Sequence, residues 1–262
     1  MSGWQVSGDA PSLYDQYGLI AVKPWTDDLI REARCREGDR VLDVACGTGY
    51  VANRVNAVSG VTCEVTGLDV NEPMLNAARK IPGIDWRLGS ATELPFEDGS
   101  FEVVLCQQGL QFFPDRRVAM KEMARVLTPG GRVSLSVWGR LEGCVFHNAF
   151  AKTIGTFLGS DAMSAIEVAF SLNTREELHD LASGAGFESI EVPYQHRTIR
   201  HPSIADYANG FIQATPVAVK YLALSDRDKQ GFGEQVTALL SGYVDDHGLA
   251  SPMENHYLLA TR

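Results

Sequence analysis

Cysteine is scarce in this 262-residue chain, and none of it is paired: Cys35, Cys46, Cys63, Cys106 and Cys144 form no C-x-x-C and stand near no H-x-x-x-H. That odd, dispersed set excludes a disulfide framework and a zinc site, so small buried thiols and no bound metal are expected. Basic charge is also short, with 23 Lys and Arg against 33 Asp and Glu and a formal net charge of -10. Binding to a phosphate backbone needs a basic face, so nucleic acid is not an expected partner. No stretch approaches the roughly 20 apolar residues of a membrane span, and the start, Met-Ser-Gly-Trp-Gln-Val-Ser-Gly-Asp, has no basic segment ahead of an apolar run. The expectation is therefore a cytoplasmic protein with no membrane partner. Repeats, low-complexity tracts and linker-like shifts of composition are missing too, which points to one domain with insertions.

What is present is concentrated in residues 41–52, Val-Leu-Asp-Val-Ala-Cys-Gly-Thr-Gly-Tyr-Val-Ala. Val41, Leu42, Val44 and Ala45 read as a strand covered on both faces, and Gly47 and Gly49 open a turn where backbone can approach a ligand closely. Asp43 inside that strand is costly unless held, so it props the loop or meets a cationic ligand group. Gly47-x-Gly49-x-x-Ala52 also fits the dinucleotide fingerprint, which expects an acid about 20 residues on. Asp69, closing the apolar strand 64–69, meets that requirement and suits the two hydroxyls of a ribose. A nucleoside ligand follows, and a nicotinamide cofactor is one alternative. Strands alternate with helices from Arg40 to Trp138, giving an α/β fold with a doubly wound, mostly parallel sheet and a cleft at the strands' carboxyl ends.

Four segments then carry a resemblance. Asp-Val-Ala-Cys-Gly-Thr-Gly (43–49), Gly-Leu-Asp-Val-Asn-Glu-Pro-Met-Leu (67–75), Gly-Ser-Ala-Thr-Glu-Leu-Pro-Phe (89–96) with the strand 101–105, and Leu-Thr-Pro-Gly-Gly-Arg (127–132) before the strand 133–138 stand in this order. They resemble the motifs of class I S-adenosylmethionine-dependent methyltransferases, in the type 11 or ubiquinone/menaquinone-biosynthesis-like small-molecule branch. The resemblance implies a seven-stranded Rossmann-like methyltransferase fold with helical lid insertions and S-adenosyl-L-methionine as cofactor. It implies that the loop bearing Asp43, Ala45, Gly47, Thr48 and Gly49 wraps the methionine part, with Asp69 on the ribose and Val70 and Met74 beside the adenine. Ser90, where the family usually has an Asp, would contact the adenine with Ala91 and Thr92, and Gln107 would face the methyl group from the end of strand four.

Around that core, residues 1–38 are expected as an N-terminal helical cap, 39–141 as the cofactor-binding core and 142–172 as a helical lid. Residues 173–262 are expected to hold a helix, a strand hairpin and a helical substrate-pocket insertion. Thr174 and Glu177 form a capping box, 187–198 reads as one strand, 202–247 as the insertion and 254–262 as the last strand. Methyl transfer from a sulfonium needs alignment, exclusion of water and, for some acceptors, removal of a proton. His147 is the candidate base, with His201 and His256 behind it; Tyr17, with Tyr14, is the candidate cover of the methyl group, and Gln107, with Gln108, the candidate orienting amide. Cys-Gln-Gln-Gly (106–109) is unlike the Asn/Asp-Pro-Pro-Tyr of methyltransferases acting on adenine or glutamine amides. The expected acceptor is a small, partly apolar or aromatic molecule, bound by a monomer or homodimer. The alternatives are an NAD(P)-dependent oxidoreductase and a methyltransferase acting on a peptide or protein terminus.

Overall fold

A computed structural model describes residues 9–201 and 203–262, so the first eight residues of the expected cap lie outside the described residues. Among the described residues, nine strands form one sheet: β1 (Arg40–Val44), β2 (Glu64–Asp69), β3 (Asp85–Leu88), β4 (Phe101–Gln107), β5 (Leu127–Trp138), β6 (Glu188–Glu191), β7 (Tyr194–His201), β8 (Val244–Asp245) and β9 (Gly248–Thr261). The order is β3-β2-β1-β4-β5-β9-β6, with β1 to β5 parallel and β7 and β8 also paired to β9. Strand order reverses at β1, which lies between β2 and β4, and the crevice beyond the carboxyl ends of β1 and β4 is where a doubly wound sheet holds its ligand. Side chains alternate across the sheet: Leu42 and Val44 join one core cluster, and Val41 joins the other with Val51 and Val55 of the helix Tyr50–Ser59.

Seven strands were expected and nine are found. The stretch 187–198 divides into β6 and β7 at Val192-Pro193, because proline has no N–H for a ladder, and the Pro193 carbonyl instead accepts from Tyr257 N at 2.9 Å. The last strand starts at Gly248 and not at residue 254, and a short hairpin adds β8. β9 pairs with β5 over residues 255–261 and with β7 over 249–256, so residues 250–254 and β7 form a two-stranded arm. That arm carries the helices Ile204–Phe211, Ala218–Leu222 and Asp226–Leu239 of the second insertion.

The capping box forms, with Thr174 Oγ1 accepting from Glu177 N at 3.3 Å and donating to Glu177 Oε2 at 2.9 Å. The lid stretch holds the helices Val145–Leu158 and Ser160–Glu167. At the N-terminal side, a short helix Ala10–Leu13 runs through the π turn Tyr14–Gly18 into the helix Leu19–Glu32. No helix among the described residues is long and apolar enough to cross a membrane.

Candidate active site

One cavity of about 250 Å³ opens at the carboxyl ends of the parallel strands. Its first end is built from strand tips. Ala45 and Gly47 stand in the turn after β1 with φ of +59° and +54°, and nothing lies within 4 Å of where a Gly47 Cβ would be. Ala45 holds a left-handed conformation that non-glycine residues adopt rarely, and such strain gathers at ligand sites. Asp69, at the tip of β2, lines the same end; its two carboxylate oxygens accept from Gly47 N and Asn71 N, each at 2.8 Å. Burial pushes the Asp69 carboxyl up while those backbone donors pull it down. Val70, Met74, Ser90, Ala91 and Thr92 complete this end, with Ser90 and Thr92 sharing a 2.8 Å hydrogen bond between their hydroxyls.

Three residues expected at the cofactor lie behind the turn and do not line the cavity. Asp43 is 1% exposed on the face of β1 that meets the helix Tyr50–Ser59, where Oδ2 accepts from Ala52 N at 3.1 Å. Its Oδ1 has no partner, and burial, reinforced by Asp69, pushes the carboxyl up to about 8 against the opposing hydrogen bond from Ala52. Thr48 turns away to donate from Oγ1 to Asp15 Oδ1 at 2.5 Å. Gly49, at φ +86°, is needed because Trp86 lies over it: an added Cβ would sit 2.5 Å from Trp86 Cη2. Of the two readings of Asp43, the loop prop is the one its contacts make.

The other end of the cavity is aromatic and comes from scattered elements. Trp138 at the tip of β5, His147, Phe170, Phe211 and Ala214 line it, with Phe112 and Phe113 after β4. His147 stands among Trp138, Phe146, Phe170 and Phe211, with ring centroids 5.4 to 6.4 Å away. Desolvation, with a smaller effect of His201, lowers its imidazole from 6.5 to about 3, so it is neutral at ordinary pH. His256 is not among the lining residues; its Nε2 lies 3.0 Å from the Asn173 carbonyl oxygen.

Two candidates for catalysis are placed differently from expectation. Tyr14 lines the cavity and Tyr17 does not: the wider π turn swings residues three apart away from each other, where α-helical spacing would set them on one face. Tyr17 packs instead against Gly210, where a Cβ would sit 2.2 Å from its Cζ, and its hydroxyl accepts from Gln16 Nε2 at 3.0 Å. Gln107 does line the cavity, yet its amide is engaged elsewhere. Oε1 accepts from Thr26 Oγ1 at 2.7 Å and Nε2 donates to Val22 O at 3.3 Å, so it fastens the roof helix Leu19–Glu32 to β4. Next to it, Gln108 at φ +55° lines the cavity and donates to Asn255 Oδ1 at 3.0 Å. Gln108 thus stands at the cavity as the second orienting amide expected after strand four, whereas Phe170, Ile166, Ala169 and Ala214 were not expected as site residues, because no local pattern separates a cavity-lining apolar residue on a helix from one in the core. Among the described residues, no cluster of His, Cys, Asp and Glu could hold a metal ion.

Comparison with known proteins adds to this geometry. Residues 42–135 match a family described as Methyltransferase domain. Over 189 residues the chain is 34% identical to a demethylmenaquinone methyltransferase of Staphylococcus aureus (strain JH9), covering 65% of this chain and 76% of that one. Among solved structures, the YcgJ protein from Bacillus subtilis superposes with a TM-score of 0.61 at 18% identity, covering 92% of this chain and 98% of that one. A phosphoethanolamine N-methyltransferase 2 of Haemonchus contortus, solved with phosphomonomethylethanolamine and S-adenosylhomocysteine, gives 0.57 at 19% identity over 98% of this chain and 60% of that one. At these identities the two structures share the fold.

Proposed function

The chain belongs to the class I S-adenosylmethionine-dependent methyltransferases, in the ubiquinone/menaquinone-biosynthesis-like branch, and we propose that it methylates an uncharged aromatic small molecule, of the quinone type, in the aromatic end of its cavity. The observation that carries this reading is the distribution of charge. Asp69, at the strand-tip end, is the one Asp, Glu, Lys or Arg among the described residues that line the cavity. A phosphorylated or carboxylated acceptor would leave its charge buried without a partner, which is strongly unfavourable. The demethylmenaquinone methyltransferase relative agrees with an acceptor of this kind.

The strand-tip end fits the cofactor. Gly47 leaves its Cβ position open to a ligand, Asp69 presents a carboxylate to ribose hydroxyls, and Val70 and Met74 offer apolar contact to a base. When bound, S-adenosylmethionine supplies an electrophilic methyl group on a sulfonium. Asp43 supports the turn from behind through Ala52 N. Trp138, Phe170 and Phe211 exclude water and orient a planar acceptor, which is where most of the rate advantage of an in-line transfer arises. His147 is held neutral and adds no cation beside the sulfonium; an imidazole lowered to about 3 takes up a proton too weakly to serve as the expected base at neutral pH, so its ring acts as one more planar wall of the acceptor end. Tyr14 covers the junction of the two ends. The nicotinamide-dependent reading rests on Gly47, Gly49, Ala52 and Asp69, all of which the methyltransferase family also accounts for.

The test is calorimetric titration with S-adenosylhomocysteine and with NADH, followed by assay of S-adenosylhomocysteine release. Micromolar binding of the first ligand alone is expected, with turnover of uncharged hydroxylated naphthalenes and none of their carboxylated analogues. Binding of NADH, or turnover confined to the carboxylated compounds, would overturn the reading.

A further inference from the structure

The helix Ile204–Phe211 and the short turn Ile212–Ala214 present one stripe toward the cavity. Phe211 and Ala214 line it, and Tyr207 stands on the same stripe one turn earlier, since residues four apart on a helix are neighbours. The rings of Tyr207 and Phe211 stack 5.6 Å apart at 7°. Tyr207 is 3% exposed, and its hydroxyl has no hydrogen-bond partner. His201, the last residue of β7, is 2% exposed, and its Nδ1 has no partner either. The two rings lie 4.0 Å apart, both against Phe146, the residue before His147. Burial pushes the Tyr207 phenol up and lowers the His201 imidazole to about 4, so both are uncharged at neutral pH. Tyr14, which lines the cavity, adds to the shift of Tyr207.

Packing alone gives no reason for two unpaired polar atoms at adjacent buried positions. Each carries the full penalty of desolvation, and a phenylalanine at 207 would keep the stacked ring without it. Resting on the acceptor reading above, we infer that the acceptor chamber continues past Phe211 to a polar end formed by Tyr207 Oη and His201 Nδ1, which hydrogen-bond a hydroxyl or carbonyl oxygen of the acceptor. Phe211 is the last residue of its helix and is half-buried, so its ring is the movable partition between the cavity and that polar end. Uncharged partners suit an uncharged ligand oxygen. The pair therefore selects oxygenated aromatics over plain aromatic hydrocarbons of the same shape.

The experiment uses the full chain saturated with S-adenosylhomocysteine and titrated with 1,4-dihydroxynaphthalene or with naphthalene, for wild type and Tyr207→Phe. The variant is expected to bind the diol about five- to tenfold more weakly, the loss of one net hydrogen bond. Naphthalene and S-adenosylhomocysteine should bind as before, and the melting temperature should hold or rise. His201→Leu should repeat the selective loss. An unchanged affinity of Tyr207→Phe for the diol, or an equal loss for both probes, overturns the polar end and leaves the acceptor chamber standing. Wild type that binds neither probe overturns the acceptor chamber itself.

Discussion

The two ends of the cavity are built by different means. The strand-tip end takes its wall from three compact stretches, at Ala45 and Gly47, from Leu68 to Met74 and from Gly89 to Thr92, which lie at or just past the carboxyl ends of β1, β2 and β3. The aromatic end draws on Tyr14, Trp138, His147, Ile166, Phe170, Phe211 and Ala214, spread over some two hundred residues and mostly on helices. Strand tips are positioned by the hydrogen-bonded ladder, so the first end depends on backbone conformation. Inserted helices are positioned by side-chain packing, so the second depends on the size and polarity of individual groups. Changes to backbone-critical glycines should therefore damage the protein as a whole, and changes to aromatic residues should alter what it accepts.

The largest effect is expected at Gly49. Gly49→Val imposes a β-branched side chain at φ +86° and drives its Cβ to within 2.5 Å of Trp86. Backbone strain and overpacking together should cost about 2–5 kcal/mol, seen as a lower urea midpoint, and cofactor binding should disappear with the turn geometry. Stability like that of wild type would mean that the turn is not set by its glycines.

A smaller loss separates the two ends. Asp69→Ala should weaken S-adenosylhomocysteine binding by about 1.5–3 kcal/mol, the range for a charge-assisted hydrogen bond. Phe211→Ala, at the aromatic end, should leave that affinity unchanged and raise the KM for an aromatic acceptor. Equal losses in the two variants would show that the ends act as one site.

The same division explains what could be read from the chain. Ala45, Gly47, Asp69, Val70, Met74 and Ser90 were legible because a glycine turn and strand-tip acids leave fixed local spacings, and the structure brings all six to one cavity. Asp43, Thr48 and Gly49 share that motif but lie behind the turn, a distinction decided by which face of β1 meets the helix Tyr50–Ser59 and by Asp15 from the N-terminal segment. The strand count failed at Val192-Pro193, where an alternating pattern continued through a residue unable to join the ladder. Tyr14 lines the cavity and Tyr17 does not, because a π turn does not show in α-helical spacing. His147 was one of six histidines until folding enclosed it with Trp138, Phe170 and Phe211.

The finest contrast between the ends is the sign of their proton linkage. Asp43 lies behind the strand-tip end, and burial raises its carboxyl from 3.8 to about 8. The folded chain therefore binds a proton that the unfolded chain has released, and the stability this group contributes falls as pH rises through that window. His147, at the aromatic end, is lowered from 6.5 to about 3, so the unfolded chain binds the extra proton and stability falls as pH drops below 6.5. Each slope is at most about 1.4 kcal/mol per pH unit. Urea midpoints across pH should show Asp43→Asn gaining on wild type as pH rises from about 5 to about 8, and His147→Phe gaining as it falls from about 6.5 to about 4. Because the two groups oppose each other between about 4 and 6.5, the wild-type profile there should be flatter than that of either variant with one group left to titrate. A flat trend in either variant would show that the group it removes is solvated in the folded chain, and the cavity end that encloses it would then be more open than its packing indicates.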